Sequence, residues 1–154
     1  MVKEFGANSD SFKELSKIKT VEELRKTYYP KVLVAVGRAW SPNPANPPFY
    51  CDMPFTYQGD SLQVNQAVVD KWNANFPVLM VDKYADNLRK LKAIKLDWGR
   101  NDAQRFPIQC GAFSQKLENL GIEHFAEEYI GNHVNKIWTN DGRVLNDLLP
   151  FFND

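Results

Sequence analysis

This chain has little cysteine, no long apolar run and no net charge, and each shortage closes off a class of protein. Two cysteines, Cys51 and Cys110, are too few for a disulfide scaffold or a cysteine-rich metal site. No stretch reaches the roughly 18 consecutive apolar residues that a membrane span requires, so no membrane partner is expected. The opening MVKEFGANSD lacks the apolar core of a signal sequence, which makes a cytoplasmic location the default expectation. Nineteen basic residues balance nineteen acidic ones, so the basic footprint of a nucleic-acid or anionic-membrane binder is absent. Near-zero net charge also provides little colloidal repulsion, which favours self-association.

What remains is ordinary for a folded domain. The 154 residues are 44% hydrophobic and 25% charged, enough for a single domain spanning 1–154 with a real core. Thr20-Val21-Glu22-Glu23 reads as a capping box opening a short helix through Leu24, after ten residues without periodicity. Lys31–Trp40 is apolar and open between strand, helix and extended turn. Five of nine prolines then fall within residues 41–55, SPNPANPPFYCDMPF, where regular helix or central strand is excluded. This proline-rich loop or cap segment (residues 41–57) is either a rigid surface loop or a cavity wall carrying Phe49, Tyr50 and Phe55.

Leu62, Val64, Val68, Trp72 and Phe76 suggest one amphipathic helix, and Asp82 a cap for another through Leu88 to Leu91. Ala93–Leu96 is a candidate strand ending at Asp97. Phe106, Cys110, Phe113, Leu117 and Leu120 advance by 4, 3, 4 and 3, with Gly121 at the helix end. Cys110 on that stripe reads as a buried thiol. Ile122–Tyr129 reads as a strand, and a last helix runs from Val144 to Leu149, closed by Pro150. Strand, helix and strand make a βαβ unit, so the fold class is α/β with a mostly parallel sheet and flanking helices.

The chemistry-bearing residues lie beyond those two strands. Asp102, in Gly99-Arg100-Asn101-Asp102, follows the first, and His133, in Gly131-Asn132-His133, follows the second. Ligands and catalytic groups gather at the carboxyl ends of strands in such sheets. A helical crossover returns the chain to the same end, where the carboxylate and imidazole can meet as an acid–base pair. A helix cap for Asp102 and a surface position for His133 are the plainer readings. Asp97 competes for the acid role, although its place suggests local hydrogen bonding. His124 reads as structural or exposed, and Trp138 as packed beside His133. His124, His133, Asp97 and Asp102 match no familiar metal site, and no phosphate-cradling loop is present, so neither metal nor cofactor is expected.

Three segments in order resemble the esterase family of α/β-hydrolases that includes esterase D-like and enterochelin-esterase-like proteins. SPNPANPPFYCDMPF is similar to a proline-rich segment of bacterial members. LDWGRND resembles the strand-plus-acid turn, and EEYIGNHVNKIW the tyrosine, glycine and histidine segment. The likeness extends from about residue 20 onward and is most specific over residues 92–138. It implies a partial α/β-hydrolase fold, the C-terminal portion of one, with Asp102 and His133 as catalytic acid and histidine. The family's nucleophile is a serine in a Gly-x-Ser-x-Gly elbow earlier in the chain. None of Ser9, Ser11, Ser16, Ser41, Ser61 or Ser114 has that glycine frame. The expectation is therefore an incomplete triad, with a small ester substrate only if missing residues complete the site. The alternative is a non-catalytic binding or structural module that pairs its exposed sheet edges with a second copy or with a complementary N-terminal half.

Overall fold

The computed structural model describes residues 9–104 and 106–153, and the chain divides after Phe76 into two units, each with its own core. The irregular start expected over the first ten residues falls, for residues 1–8, outside the described residues, while Ser9 and Asp10 belong to a helix. Among the described residues no helix is long and apolar enough to cross a membrane.

The first unit begins with three helices, α1 (Ser9–Lys17), α2 (Val21–Arg25) and α3 (Tyr29–Trp40). The capping box forms as expected. Thr20 Oγ1 accepts from the Glu23 amide at 3.2 Å, and the Glu23 carboxylate accepts from the Thr20 amide at 3.1 Å. The Lys31–Trp40 stretch is helical, with Pro30 in the first turn of α3, where its missing N–H removes no intrahelical bond. The single helix expected after Asp60 is instead a strand followed by a helix. Phe55–Gln58 (β1) and Ser61–Val64 (β2) form an antiparallel hairpin, and α4 (Gln66–Asn73) follows. Two local causes decide this. Gly59 takes the left-handed φ of 61° that a two-residue hairpin turn needs, and the Asn65 side chain caps α4 by accepting from the Val68 amide. Leu62 and Val64, spaced by two, were following the strand period.

Phe12, Leu15, Leu33, Val34, Phe55 and Trp72 make up most of this unit's core. The Phe12 ring meets Phe55 edge-on at 5.3 Å. The one polar atom of the Trp72 side chain is satisfied internally, because its Nε1–H donates to Ser41 Oγ at 2.8 Å. Ser41 Oγ lies in turn 2.7 Å from the Asp52 carbonyl, to which it donates. Both residues are buried, Trp72 to 1% exposure. Ser41→Ala strands the indole N–H away from water, so it is expected to cost about 1–3 kcal/mol of stability. Urea unfolding followed by tryptophan fluorescence measures this. A loss below about 0.5 kcal/mol, the range of ordinary surface changes, would show that the bond carries no weight.

The second unit runs α5 (Pro77–Leu88), β3 (Lys95–Gly99), α6 (Phe106–Asn119) and β4 (Phe125–Tyr129). A π-helical turn (Val144–Leu148) then leads directly into α7 (Leu149–Asn153). Asp82, expected as a cap, sits in the middle of α5, which begins at Pro77, a residue pre-set for the first helical position. Pro150 does not close the last helix, since it lies in the first turn of α7. The strongest periodicity is confirmed: α6 forms, and Gly121 beyond it has the left-handed φ of 63°. Both expected strands form, the first shifted to Lys95–Gly99 and the second beginning at Phe125 and ending at Tyr129 as expected.

β3 and β4 pair in parallel, with Lys95 opposite Phe125 and Gly99 opposite Tyr129. Val81, Ala85, Leu117 and Ile122 form the core, with Leu96 and Phe113 packed against it. The class is thus mixed α/β, with two small sheets, one parallel and one antiparallel, and flanking helices.

Candidate functional site

The parallel ladder of the second unit does not stop where its strands end. The Arg100 amide donates to the Tyr129 carbonyl and the Asn101 amide to the Gly131 carbonyl, both at 2.8 Å. These bonds carry the two outgoing chains side by side for two more residues, and Asp102 and His133 emerge together. His133 Nδ1 lies 2.8 Å from Asp102 Oδ2. A carboxylate oxygen accepts, so Nδ1 carries a proton, and in the neutral ring Nε2 is the nitrogen with the lone pair.

Gly99 is what lets the loops come this close. A Cβ there would sit 2.7 Å from the Gly131 carbonyl oxygen and 2.8 Å from that of Asn132, backbone atoms that cannot swing aside. Gly131 is equally constrained, lying beneath the Tyr129 ring. The His133 loop is then locked by a reciprocal pair. Asn132 Oδ1 accepts from the Val134 and Asn135 amides at 3.0 and 2.9 Å, and Asn135 Oδ1 accepts from the Asn132 amide at 2.5 Å. On the other side, Asp102 Oδ1 accepts from the Gln104 amide at 2.6 Å. Its side chain is 6% exposed, against 44% for His133. The acid is held and shielded, while the imidazole faces partly into solvent.

Trp138 does not pack beside His133; it is 80% exposed. Between them Lys136 takes a left-handed φ of 58°. The ring beside the imidazole is Phe106, from the start of α6, with centroids 5.2 Å apart and planes tilted by 31°. Asp97 is likewise removed from the acid role. It accepts from Arg143 Nε at 2.8 Å, and Arg143 also binds Glu127 on β4 and lies 2.9 Å from Asp147. Sequence reading missed Arg143: two of its partners lie 46 and 16 residues away in the chain, and the third, Asp147, stands at i+4.

A serine–histidine contact elsewhere in the unit escaped sequence reading altogether. Ser114, buried on α6, has its Oγ 2.7 Å from His124 Nε2, and His124 Nδ1 is 3.0 Å from the Ile122 carbonyl. A carbonyl only accepts, so Nδ1 is the donor and the serine hydroxyl donates to Nε2. The pair ties α6 to the turn before β4. It has no carboxylate behind the imidazole, and its hydroxyl is enclosed.

The proline-rich segment belongs to the first unit, where Phe49 and Phe55 line a cavity of about 410 Å³. Tyr50 does not line it, because a left-handed φ of 55° turns this residue outward to solvent. Both cysteines are free, and burial pushes both thiols up, which suppresses the reactive thiolate. Among the described residues no group of three or more His, Cys, Asp or Glu is placed to hold a metal ion. No family model matches the chain, and no curated protein matches it.

Two predictions come from this geometry. In long-range ¹H–¹⁵N spectra with the imidazole neutral, His133 should appear as the Nδ1–H tautomer. Asp102→Ala should shift it toward Nε2–H, and Gly99→Ala should do the same by forcing the loops apart. A tautomer unchanged in both variants would mean that the pair does not persist in solution. The second concerns Arg143, whose hydrogen bond holds the Glu127 carboxyl below its ordinary value of 4.5. A carboxylate lowered on folding contributes stability above its unfolded pKa, and that contribution is lost as pH falls through the folded value. Acid unfolding of the wild type should therefore show a loss beginning near pH 4.5 and continuing below it. Arg143→Ala should reduce that component to the part that Lys95 supplies and cost on the order of 3 kcal/mol at neutral pH, since Asp97 is left largely buried without its partner. Equal acid profiles for the two proteins would refute the assignment.

Proposed function

We propose that the second unit carries the acid–histidine half of a serine ester hydrolase site on a partial α/β-hydrolase framework. Asp102 is the orienting carboxylate and His133 the general base. The observation that carries this reading is the 2.8 Å contact from His133 Nδ1 to a shielded carboxylate, which leaves Nε2 as the basic nitrogen on a half-exposed ring. That is the tautomer and orientation needed to take a proton from an alcohol. The order of the LDWGRND and EEYIGNHVNKIW segments supports the same reading. In the completed site a serine from a complementary polypeptide attacks the ester carbonyl as its proton passes to Nε2. The alcohol then leaves with that proton, and water activated by the same imidazole releases the acyl group. Phe106 against the ring shields one face of the imidazole from water.

A second reading, a module that binds a second copy or a complementary chain without catalysis, has its own observation. The Phe125 amide donates to the Ile94 carbonyl and the Arg100 amide to Tyr129, so the even-numbered residues of β3 face β4. The backbone groups of Lys95 and Asp97 therefore point to the opposite edge of the strand, where a further strand can pair. Ile130 and Val134, flanking the His133 turn, are also exposed.

Two measurements on the intact chain separate the readings. A fluorophosphonate probe, followed by intact mass, is expected to leave the folded protein unlabelled; an adduct lost in His133→Ala would show that one of its own serines is the nucleophile. Hydrolysis of p-nitrophenyl acetate reports the imidazole without any serine. The wild type should exceed His133→Ala, and Asp102→Ala should fall to the same background. Identical rates for all three would sink the catalytic reading and leave the binding module.

A further inference from the structure

We propose that the cavity in the first unit binds a small monocarboxylate with an apolar, medium-length body, whose carboxylate is taken by Lys19. The cavity is partly open to solvent and lined by residues of α1, the turn after it, the proline-rich loop and β1, and its volume of about 410 Å³ falls among small-ligand sites, which span about 300–1,000 Å³. Its apolar walls are Leu15, Ile18, Phe49, Met53, Phe55 and Tyr57, and Ser16, Lys19, Asn46, Thr56 and Gln58 supply a polar part of comparable extent. Met53 adds a flexible thioether that adapts to the shape of an occupant.

The polar groups narrow the ligand's chemistry. Ser16 Oγ is already engaged, donating to the Phe12 carbonyl and accepting from the Tyr57 amide, both at 2.9 Å. The Asn46 amide nitrogen is spent on the Cys51 carbonyl and the Asp52 carboxylate, at 3.0 and 3.1 Å. Lys19 is the charged residue of the lining, and no acidic residue accompanies it. Its Nζ donates to the Ser16 carbonyl at 2.9 Å, one bond from a group with three donors. Among the described residues it makes no ion pair. Lys19 is exposed, and the nearby Glu23 carboxylate is engaged by the Lys19 and Thr20 backbone amides at 2.7 and 3.1 Å. A chamber with these apolar walls and that ammonium favours an apolar body with one negative head over a cation. A neutral alcohol of the same length would gain the walls without the charge. This proposal does not depend on the hydrolase reading.

The test is calorimetric titration of the full chain with hexanoate, octanoate and decanoate below their micelle concentrations, with 1-octanol for comparison. Saturable one-to-one binding is expected, tightening about fourfold for each added methylene. Lys19→Gln should weaken octanoate about tenfold and leave octanol unchanged. Thr56→Trp, a substitution at an exposed lining position, should fill the chamber and weaken both. Circular dichroism confirms that each variant is folded. No saturable binding by the folded wild type would overturn the proposal. So would octanoate binding that Lys19→Gln leaves unchanged, or that survives Thr56→Trp.

Discussion

The candidate site depends on one constraint, the parallel register of β3 and β4. Parallel strands leave a sheet at the same end, and here the pairing continues as two backbone hydrogen bonds beyond the strands, from Arg100 to Tyr129 and from Asn101 to Gly131. Asp102 and His133 are 31 positions apart in sequence, yet Asp102 directly follows the last of those bonds and Asn132 alone separates it from His133. The precision of the 2.8 Å contact thus comes from backbone, with Gly99 and Gly131 supplying the empty volume that the approach requires. Arg143 reinforces the same pairing from the side, binding Asp97 on one strand and Glu127 on the other.

The chain contains two histidines, and their surroundings set them apart. Both have Nδ1 fixed as a donor and Nε2 as the basic nitrogen. For His124 that nitrogen is occupied by the enclosed Ser114 hydroxyl, and its donor ends on a neutral carbonyl. For His133 the donor ends on a carboxylate, and the ring is half open to solvent. Hydrogen-bond geometry alone does not set the two histidines apart. The charge behind the ring and the access in front of it do, and on these the proposed role of His133 rests.

Sequence reading worked where one local cause dominated. The capping box at Thr20, the apolar stripe of α6 and its terminal Gly121 each rest on a few neighbouring residues, and each formed. It failed where two periods were joined, as at Leu62 to Phe76, where a turn glycine and an Asn cap divide a strand from a helix. It failed again at Asp82 and Pro150, where a residue with a familiar boundary role lies inside a helix. The Asp102–His133 pair was legible because a βαβ order fixes which loops meet. Phe106, Arg143 and the Ser114–His124 bond were not, since each depends on long-range packing that leaves no periodic trace.

The two small sheets also differ in how they come into being. β1 and β2 are joined by a two-residue turn, so their first contact closes almost no loop and forms early. β3 and β4 have no turn at which to start. Their nearest paired residues are 30 positions apart, and α6 must be in place before the second strand can return beside the first. The contact between Asp102 and His133, which lies beyond the end of that ladder, therefore belongs to the last stage of folding in its unit. Any event that slows the docking of α6 delays the appearance of the site without altering the site itself.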